Sequence, residues 1–292
     1  MDWLWSALKH IVLSDNVLLT LLVVPVVFVA EYLRPARKAP VSAYRFDIAY
    51  WATNVFVLGV TTPVVAIAVA YAIKALGFGL IDLTSLGFSS FGGAVFALLV
   101  STLITDFFYY WFHRTMHASK VLWQMHLLHH SDEHMNAMTA NRGHFLEAAL
   151  SPLFITVPLA ILFKLPPVAI GLLSLGPYAY LFFVHANVRA GFGPLWWLVI
   201  SPDYHRIHHS IEPEHRDKNF ANWFPVWDIV FGTVWRPQPG ERPATGVEGV
   251  RVKTLGEAFL LPLTGWKTML RPEKRRSGPL SARKRSPRES RI

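Results

Sequence analysis

Five uncharged apolar runs divide the chain, at 16–30, 48–73, 83–105, 148–163 and 165–184. A helix needs about 20 such residues to cross the hydrocarbon of a bilayer. The second, third and fifth runs reach that length unaided, and the first and fourth fall short of it. "KLPP" at 164–167 separates the last two so tightly that they can form a hairpin that dips into the bilayer and returns. The pattern predicts an all-α integral membrane protein with four or five membrane helices, the last two being either separate spans or a re-entrant hairpin.

Two polar blocks, 113–147 and 185–260, interrupt this pattern. Arg34, Arg37, Lys38 and Arg45 crowd the connection after the first run, whereas 77–91 contains no Lys or Arg. Basic residues concentrate in cytoplasmic loops, so the former connection is expected inside. Counted forward, the third run returns to the cytoplasm near His113 and the fifth near His185. Both polar blocks are then expected to fold as one cytoplasmic helical cap. "MDWLWSALKH" has an acid at position 2 and no small-residue cleavage site follows, so no removable signal peptide is expected.

Composition agrees with a membrane protein: 52% of the residues are hydrophobic, and the mean hydropathy is +0.32. The net charge of +9 is concentrated at the C-terminal end. From Lys267 onward ten Lys and Arg face only Glu273 and Glu289, a local balance of +8. The chain therefore divides into a single membrane-embedded domain, 1–266, and a basic, disordered tail, 267–292. The tail suits anionic lipid headgroups, or simply helps to fix topology. Nucleic acid is not an expected partner. There is no cysteine, which excludes disulfides, zinc ribbons and iron–sulfur clusters and leaves only N and O ligands for a metal.

Histidine supplies the candidate chemistry. Eight of the 13 histidines lie in three windows, "HRTMH" (His113, His117), "HLLHH" (His126, His129, His130) and "HRIHH" (His205, His208, His209). At this composition a random chain would contain HxxHH about 0.03 times, and here it occurs twice. On a helix, positions i, i+3 and i+4 share a face, so each window can aim its ring nitrogens inward. Imidazole suits Fe, Zn, Cu and Ni. Eight rings exceed the three or four ligands that one zinc takes, which points to two ions. The bland alternative is that the rings are hydrogen-bonded residues at the membrane interface. A zinc protease is disfavoured because Arg114 stands where HExxH needs its glutamate. Only "EPEH" resembles the Glu-x-x-His of soluble di-iron bundles, and Pro213 lies inside it.

The stretches "DFFYYWFHRTMH", "LWQMHLLHHSDEHMNAMTANRGHFLE", "FFVHANVRAGFGPLWWLVISPDYHRIHHS" and "HRDKNFANWFPVWDIVFGT" resemble the fatty acid hydroxylase / sterol desaturase superfamily of integral membrane oxygenases over 105–233. Within it they are most similar to the bacterial alkylglycerol-monooxygenase-like branch. The resemblance implies a di-iron centre held by His113, His117, His126, His129, His130, His205, His208 and His209, with His185 of "HANV" as a ninth ligand. Zinc can take the place of iron in a purified protein. It also implies O2 as co-substrate, and a sterol, fatty acyl chain, carotenoid or ether lipid as the molecule hydroxylated or desaturated. Phe145 stands where the family often has proline, and His134 where it has an apolar residue, so His134 and His144 stay open as ligands or neighbours of ligands. Leu181 occupies the position at which some relatives carry a further histidine.

Ligating histidines give their second N–H to a carboxylate or carbonyl. Asp106, two helical turns before His113, is one candidate acceptor, with Asp132, Asp203, Asn219 and Asp228 as others. Asn187, Arg142 and Glu147 fit either that role or a buried polar network that holds the cap to the helices. No GxGxxG fingerprint for a flavin or nicotinamide occurs, so the electrons are expected from a separate donor: a ferredoxin, cytochrome, reductase or pterin. Three other readings remain at this level: a membrane zinc-dependent lipid hydrolase, a metal transporter, and a scaffold acting through its basic tail. A multi-pass bacterial inner-membrane protein with the metal site and C-terminus in the cytoplasm is expected.

Overall fold

The computed structural model describes residues 14–82, 91–164 and 178–270. The readings of the first ten residues, of most of the 165–184 run and its hairpin, of part of the 77–91 connection, and of the tail beyond 270 fall outside the described residues. The protein is mostly helical, with 65% of it in helix.

Helix α1 (Asp15–Leu33) and helix α2 (Ala43–Leu76) carry the first two apolar runs. α2, with 34 residues, is about 51 Å long at 1.5 Å per residue, against about 30 Å of hydrocarbon. It ends at Gly77, whose φ of 84° is one that glycine adopts without strain. A two-residue parallel pair, β1 (Ile81–Asp82) with β2 (Phe163–Lys164), sets Ile81 opposite Phe163. Among the described residues two segments can cross a membrane by length and hydropathy: α2, and Phe145–Leu162. The latter comprises α5 (Phe145–Phe154) and α6 (Thr156–Leu162), which meet at Ile155 shortly after Pro152. α1 is a shorter apolar helix.

Helix α3 (Phe91–Ala118) carries the third run straight into "HRTMH", so those histidines ride on the end of an apolar helix. Ser119 stops it with an extended ψ of 117°, and its hydroxyl accepts the Leu122 N–H, capping α4 (Lys120–His130). One residue thus swings "HLLHH" towards "HRTMH". Helix α9 (Leu255–Met269) begins with a Thr254/Glu257 capping box and packs along α4. At Gly265 the two helices come close enough that a Cβ would displace the Gln124 side chain, whose Oε1 lies 1.9 Å from that position. The remaining cap is short: a helical segment at 178–185, α7 (Pro202–His208) and α8 (Val226–Val230).

The cap interior is largely polar, and polar groups hold it to α1 and α2. Arg142 donates to Asp47 at 2.5 Å, and Asn136 donates to the other Asp47 oxygen at 2.9 Å. Glu31 accepts the backbone N–H groups of Ala137 and Asn187 as well as the Tyr44 hydroxyl. Buried polar groups without partners cost about 1–3 kcal/mol each, so these pairings fix how the cap sits. Apolar packing is confined to patches around them, such as Tyr110, Val184, Ile200, Tyr204 and Phe220.

Candidate metal centre

Nine histidines fall into two groups, and within each the nitrogens able to bind a metal all lie within 4.8 Å of one another. The first group takes His113 and His117 from α3, His126 and His130 from α4, and His208 from α7. The second takes His129 from α4, His185 from 178–185, and His205 and His209 from α7 and its C-cap. Each HxxHH window therefore serves both groups. Positions i and i+4 lie about 40° apart around a helix, whereas i+3 lies about 60° to the other side. His126 and His130 accordingly stay together while His129 leaves for the second group. His205 and His209 stay together while His208 leaves for the first. The groups share a wall, where the His130 and His209 rings stack at 4.4 Å.

Hydrogen bonds fix which nitrogen of a ring carries its proton. His113 Nδ1 lies 2.7 Å from the Phe220 carbonyl, an acceptor only, so Nδ1 holds the hydrogen and Nε2 keeps its lone pair. His126 Nδ1 lies 3.0 Å from the Glu147 carboxylate, with the same consequence. Yet the two Nε2 atoms face each other at 3.0 Å. Two lone pairs at that distance repel unless a cation lies between them or one ring becomes an imidazolium, and burial disfavours the latter. Nε2 of His117, His130, His208 and His209 is also buried with no hydrogen-bond partner. An ion in the first group would satisfy His113, His117, His126, His130 and His208, and one in the second would take His209; the all-nitrogen donor sets suit Fe, Zn, Cu or Ni.

Residues 98–233, which hold all nine rings, match the fatty acid hydroxylase family model. The matched stretch is a fatty acid hydroxylase domain by that model, and it covers a little under half of the chain. The human (Homo sapiens) alkylglycerol monooxygenase is 38% identical over 128 residues, 44% of this chain and 28% of that protein. The ornithine lipid hydroxylase OlsE of Rhizobium tropici is 28% identical over 154 residues, 53% of this chain and 46% of that protein. A very-long-chain aldehyde decarbonylase of Oryza sativa is 29% identical over 49% of this chain and 24% of its own length. The chain thus spans less than half the length of each of these relatives. No solved structure gives a significant match.

In this fatty acid hydroxylase domain the rings are oriented mainly by main-chain carbonyls. His208 Nδ1 donates to the Lys218 carbonyl at 2.8 Å, and His185 Nδ1 to the Leu181 carbonyl at 2.7 Å. Position 181 thus supports His185 through its backbone. The segment that supplies the Lys218 and Phe220 carbonyls is itself clamped. Asp228 accepts the N–H groups of Phe220 and Ala221 and the hydroxyls of Tyr204 and Thr233. Asn219, with a φ of 60°, donates to the Tyr204 and Trp235 carbonyls. Asp106, one of the candidate acceptors for a ring N–H, instead takes the backbone N–H groups of Asn222, Trp223 and Phe224 at 2.9–3.1 Å. Seven residues along a helix is about 10.5 Å, too far for direct contact with the ring of His113. It acts on that ring through the clamped segment.

The other candidates fall outside both groups. His134 is exposed. His144 is buried but uses both nitrogens, accepting the Leu146 N–H as the N-cap of α5 and bonding to the Phe259 carbonyl. Asn187 joins Arg37 to Arg206, bracing the cap. Glu147 makes a direct carboxylate contact with a ring of the first group, with both oxygens 3.0 Å from His126 Nδ1. Its place in "HFLE" could not distinguish that role from a part in the polar network.

Burial, followed by the neighbouring rings, holds His129, His130, His205, His208 and His209 well below the usual histidine range. They are neutral at neutral pH, the form that binds a metal.

Proposed function

We propose that the chain is an integral membrane monooxygenase or desaturase whose fatty acid hydroxylase domain binds two iron ions, one in each histidine group. The first would be held by His113, His117, His126, His130 and His208, and the second by His129, His185, His205 and His209. The observation that carries this reading is the pair of abutting all-imidazole groups, in which the lone pairs of His113 and His126 converge. Iron bound there supplies activation of O2, chemistry that zinc does not provide. The chain's own residues do the rest. Glu147 and the Phe220, Lys218 and Leu181 carbonyls hold the rings in the metal-binding tautomer. The buried surroundings keep bulk water from the reacting bond.

The reaction takes a lipid R–H, O2, two electrons and two protons to R–OH and one water. In a desaturation two hydrogens leave adjacent carbons and two waters form. The lipid oxygenases among the relatives support a lipid substrate, and sterols, fatty acyl chains, carotenoids and ether lipids all remain in its class. The electrons come from a separate donor, a ferredoxin, cytochrome, reductase or pterin. The five apolar runs support four or five spans, and the positive-inside distribution supports a cap, metal centre and basic tail on the cytoplasmic side of a bacterial inner membrane. Residues 1–266 form one domain, and the tail from 267 onward contacts anionic headgroups.

The test is to express the chain in cells fed isotope-labelled O2, and to compare their lipids and the iron content of the purified protein with those of a His208→Ala variant. A labelled oxygen in one lipid class, or a new double bond with label in water, together with two irons per chain, is expected. An unchanged lipidome from fully iron-loaded protein would refute the reading.

A further inference from the structure

One face of α2 carries a groove with an unusual polar end. A cavity of about 620 Å³ lies along Trp51, Asn54 and Leu58 of α2 and reaches Asn141, Ala148 and Tyr178. A second, of about 320 Å³, shares Leu58, Thr62 and Ala148 with it and continues along the same face to Ile73. From Trp51 to Ile73 the helix advances about 33 Å, comparable to the thickness of the hydrocarbon layer. Among the described residues lining both cavities none is charged. At the upper end two polar atoms are buried without a partner: Trp51 Nε1, a donor, and Asn54 Oδ1, an acceptor. Asn54 is only 5% exposed, and its Nδ2 is already committed to the Gly143 carbonyl at 3.2 Å. Residues i and i+3 sit side by side on a helix and both line the groove, so this donor and acceptor mark one end of it. That end adjoins the metal centre's scaffold, because Ala148 directly follows Glu147, whose carboxylate holds His126.

We propose that this groove is a lipid-binding site selective for an uncharged, hydroxyl-bearing lipid, with the hydroxyl held between Trp51 and Asn54 and its apolar chain laid along α2 towards Ile73. This deepens the lipid-oxygenase reading and rests on it for its role in catalysis. A hydroxyl accepts from the indole N–H and donates to the amide oxygen, satisfying both orphaned atoms. An ester or ether satisfies only Trp51. A carboxylate or phosphate cannot donate to Asn54, and its charge would be desolvated with no described counter-charge in the lining.

The test uses the purified full chain in nanodiscs and measures retention of three probes with the same chain: hexadecanol, its methyl ether, and palmitate. Wild-type protein is expected to hold hexadecanol about tenfold more tightly than the ether or palmitate, a difference of about 1.4 kcal/mol. Asn54→Leu should erase the preference for the alcohol over the ether. Trp51→Phe should weaken both, and because the indole N–H has no partner, this change removes no hydrogen bond from the fold. Equal retention of alcohol and ether by wild type, tighter retention of palmitate, or an unaltered Trp51→Phe would overturn the proposal. Binding needs no turnover. A chain that keeps the selectivity while oxidising no lipid would therefore support the groove and refute the oxygenase reading alone, whereas oxidation without selectivity would do the reverse.

Discussion

Both carboxylate oxygens of Glu147 stand 3.0 Å from Nδ1 of His126, placing a negative charge behind a ring whose Nε2 faces His113. Such a carboxylate fixes the tautomer and raises the basicity of the ligand, and its loss typically weakens metal binding by about 10–100-fold. Glu147→Gln keeps an acceptor oxygen but removes the charge. We expect it to insert and fold normally while losing at least about tenfold in metal affinity. A competition titration against a chelator measures this, and unaltered affinity would show that the contact is incidental.

Because i+3 and i+4 of each HxxHH window part company, neighbouring histidines should fail differently. His208 belongs to the first group and His209 to the second. His208→Ala is expected to spare the ion of the second group, and His209→Ala that of the first. Each should lower metal content from two ions per chain towards one. Metal analysis together with Mössbauer spectra of iron-57-loaded protein would separate the two sites. Complete loss of both ions in each variant would mean that the groups cannot fill independently.

Much of this centre was legible in the sequence, and what was not has a physical reason. The two HxxHH windows and HRTMH are side-chain patterns, so they stand out against composition. Helix phase divides the windows, but which ring joins which group depends on where α3, α4 and α7 lie in space, which spacing alone does not fix. The Lys218 and Phe220 carbonyls were invisible because every residue has a carbonyl. Asp106 stands two helical turns before His113, yet its partners begin 116 residues away, beyond what a local pattern can report. His144, open in the sequence between a ligand and a neighbour of ligands, caps α5; a histidine adjacent to a helix start reads the same in either role. In the fold, α2 and the Phe145–Leu162 segment follow directly from their hydropathy. The one-residue break at Ser119 needs only a hydroxyl cap, a weak signal between two helical patterns.

Asp106 makes a sharper test of indirect positioning than any ligand does. Its carboxylate satisfies three backbone N–H groups at 222–224, and that segment leads back to the Phe220 carbonyl bonded to His113. Asp106→Asn keeps one acceptor oxygen and leaves at least one of these buried N–H groups unmatched, at a cost of about 1–3 kcal/mol. The expected result is a lower unfolding midpoint together with weaker metal retention, although the residue touches no metal-binding ring. Asp106→Leu should be worse on both counts. A variant that loses stability but retains metal at wild-type affinity would confine Asp106 to a structural role.

Acid should destabilise the metal-free protein, and the sign follows from the direction of the histidine shifts. In the folded state His129, His130, His205, His208 and His209 take up protons only well below their usual range, because burial and the neighbouring rings oppose the charge. In the unfolded chain they titrate near the ordinary value of about 6.5. Above that value both states are neutral and these rings contribute no pH dependence. Below it the unfolded state gains protons that the folded state does not, so stability falls as pH falls. The metal-free protein is therefore expected to unfold at a lower temperature at about pH 5.5 than at about pH 7.5. Protons also compete with metal for the same nitrogens, so the loaded protein should release its ions over the same acid range, which dialysis at stepped pH would measure. A metal-free unfolding midpoint that is flat or rises towards acid would mean that these rings are not held neutral by their surroundings.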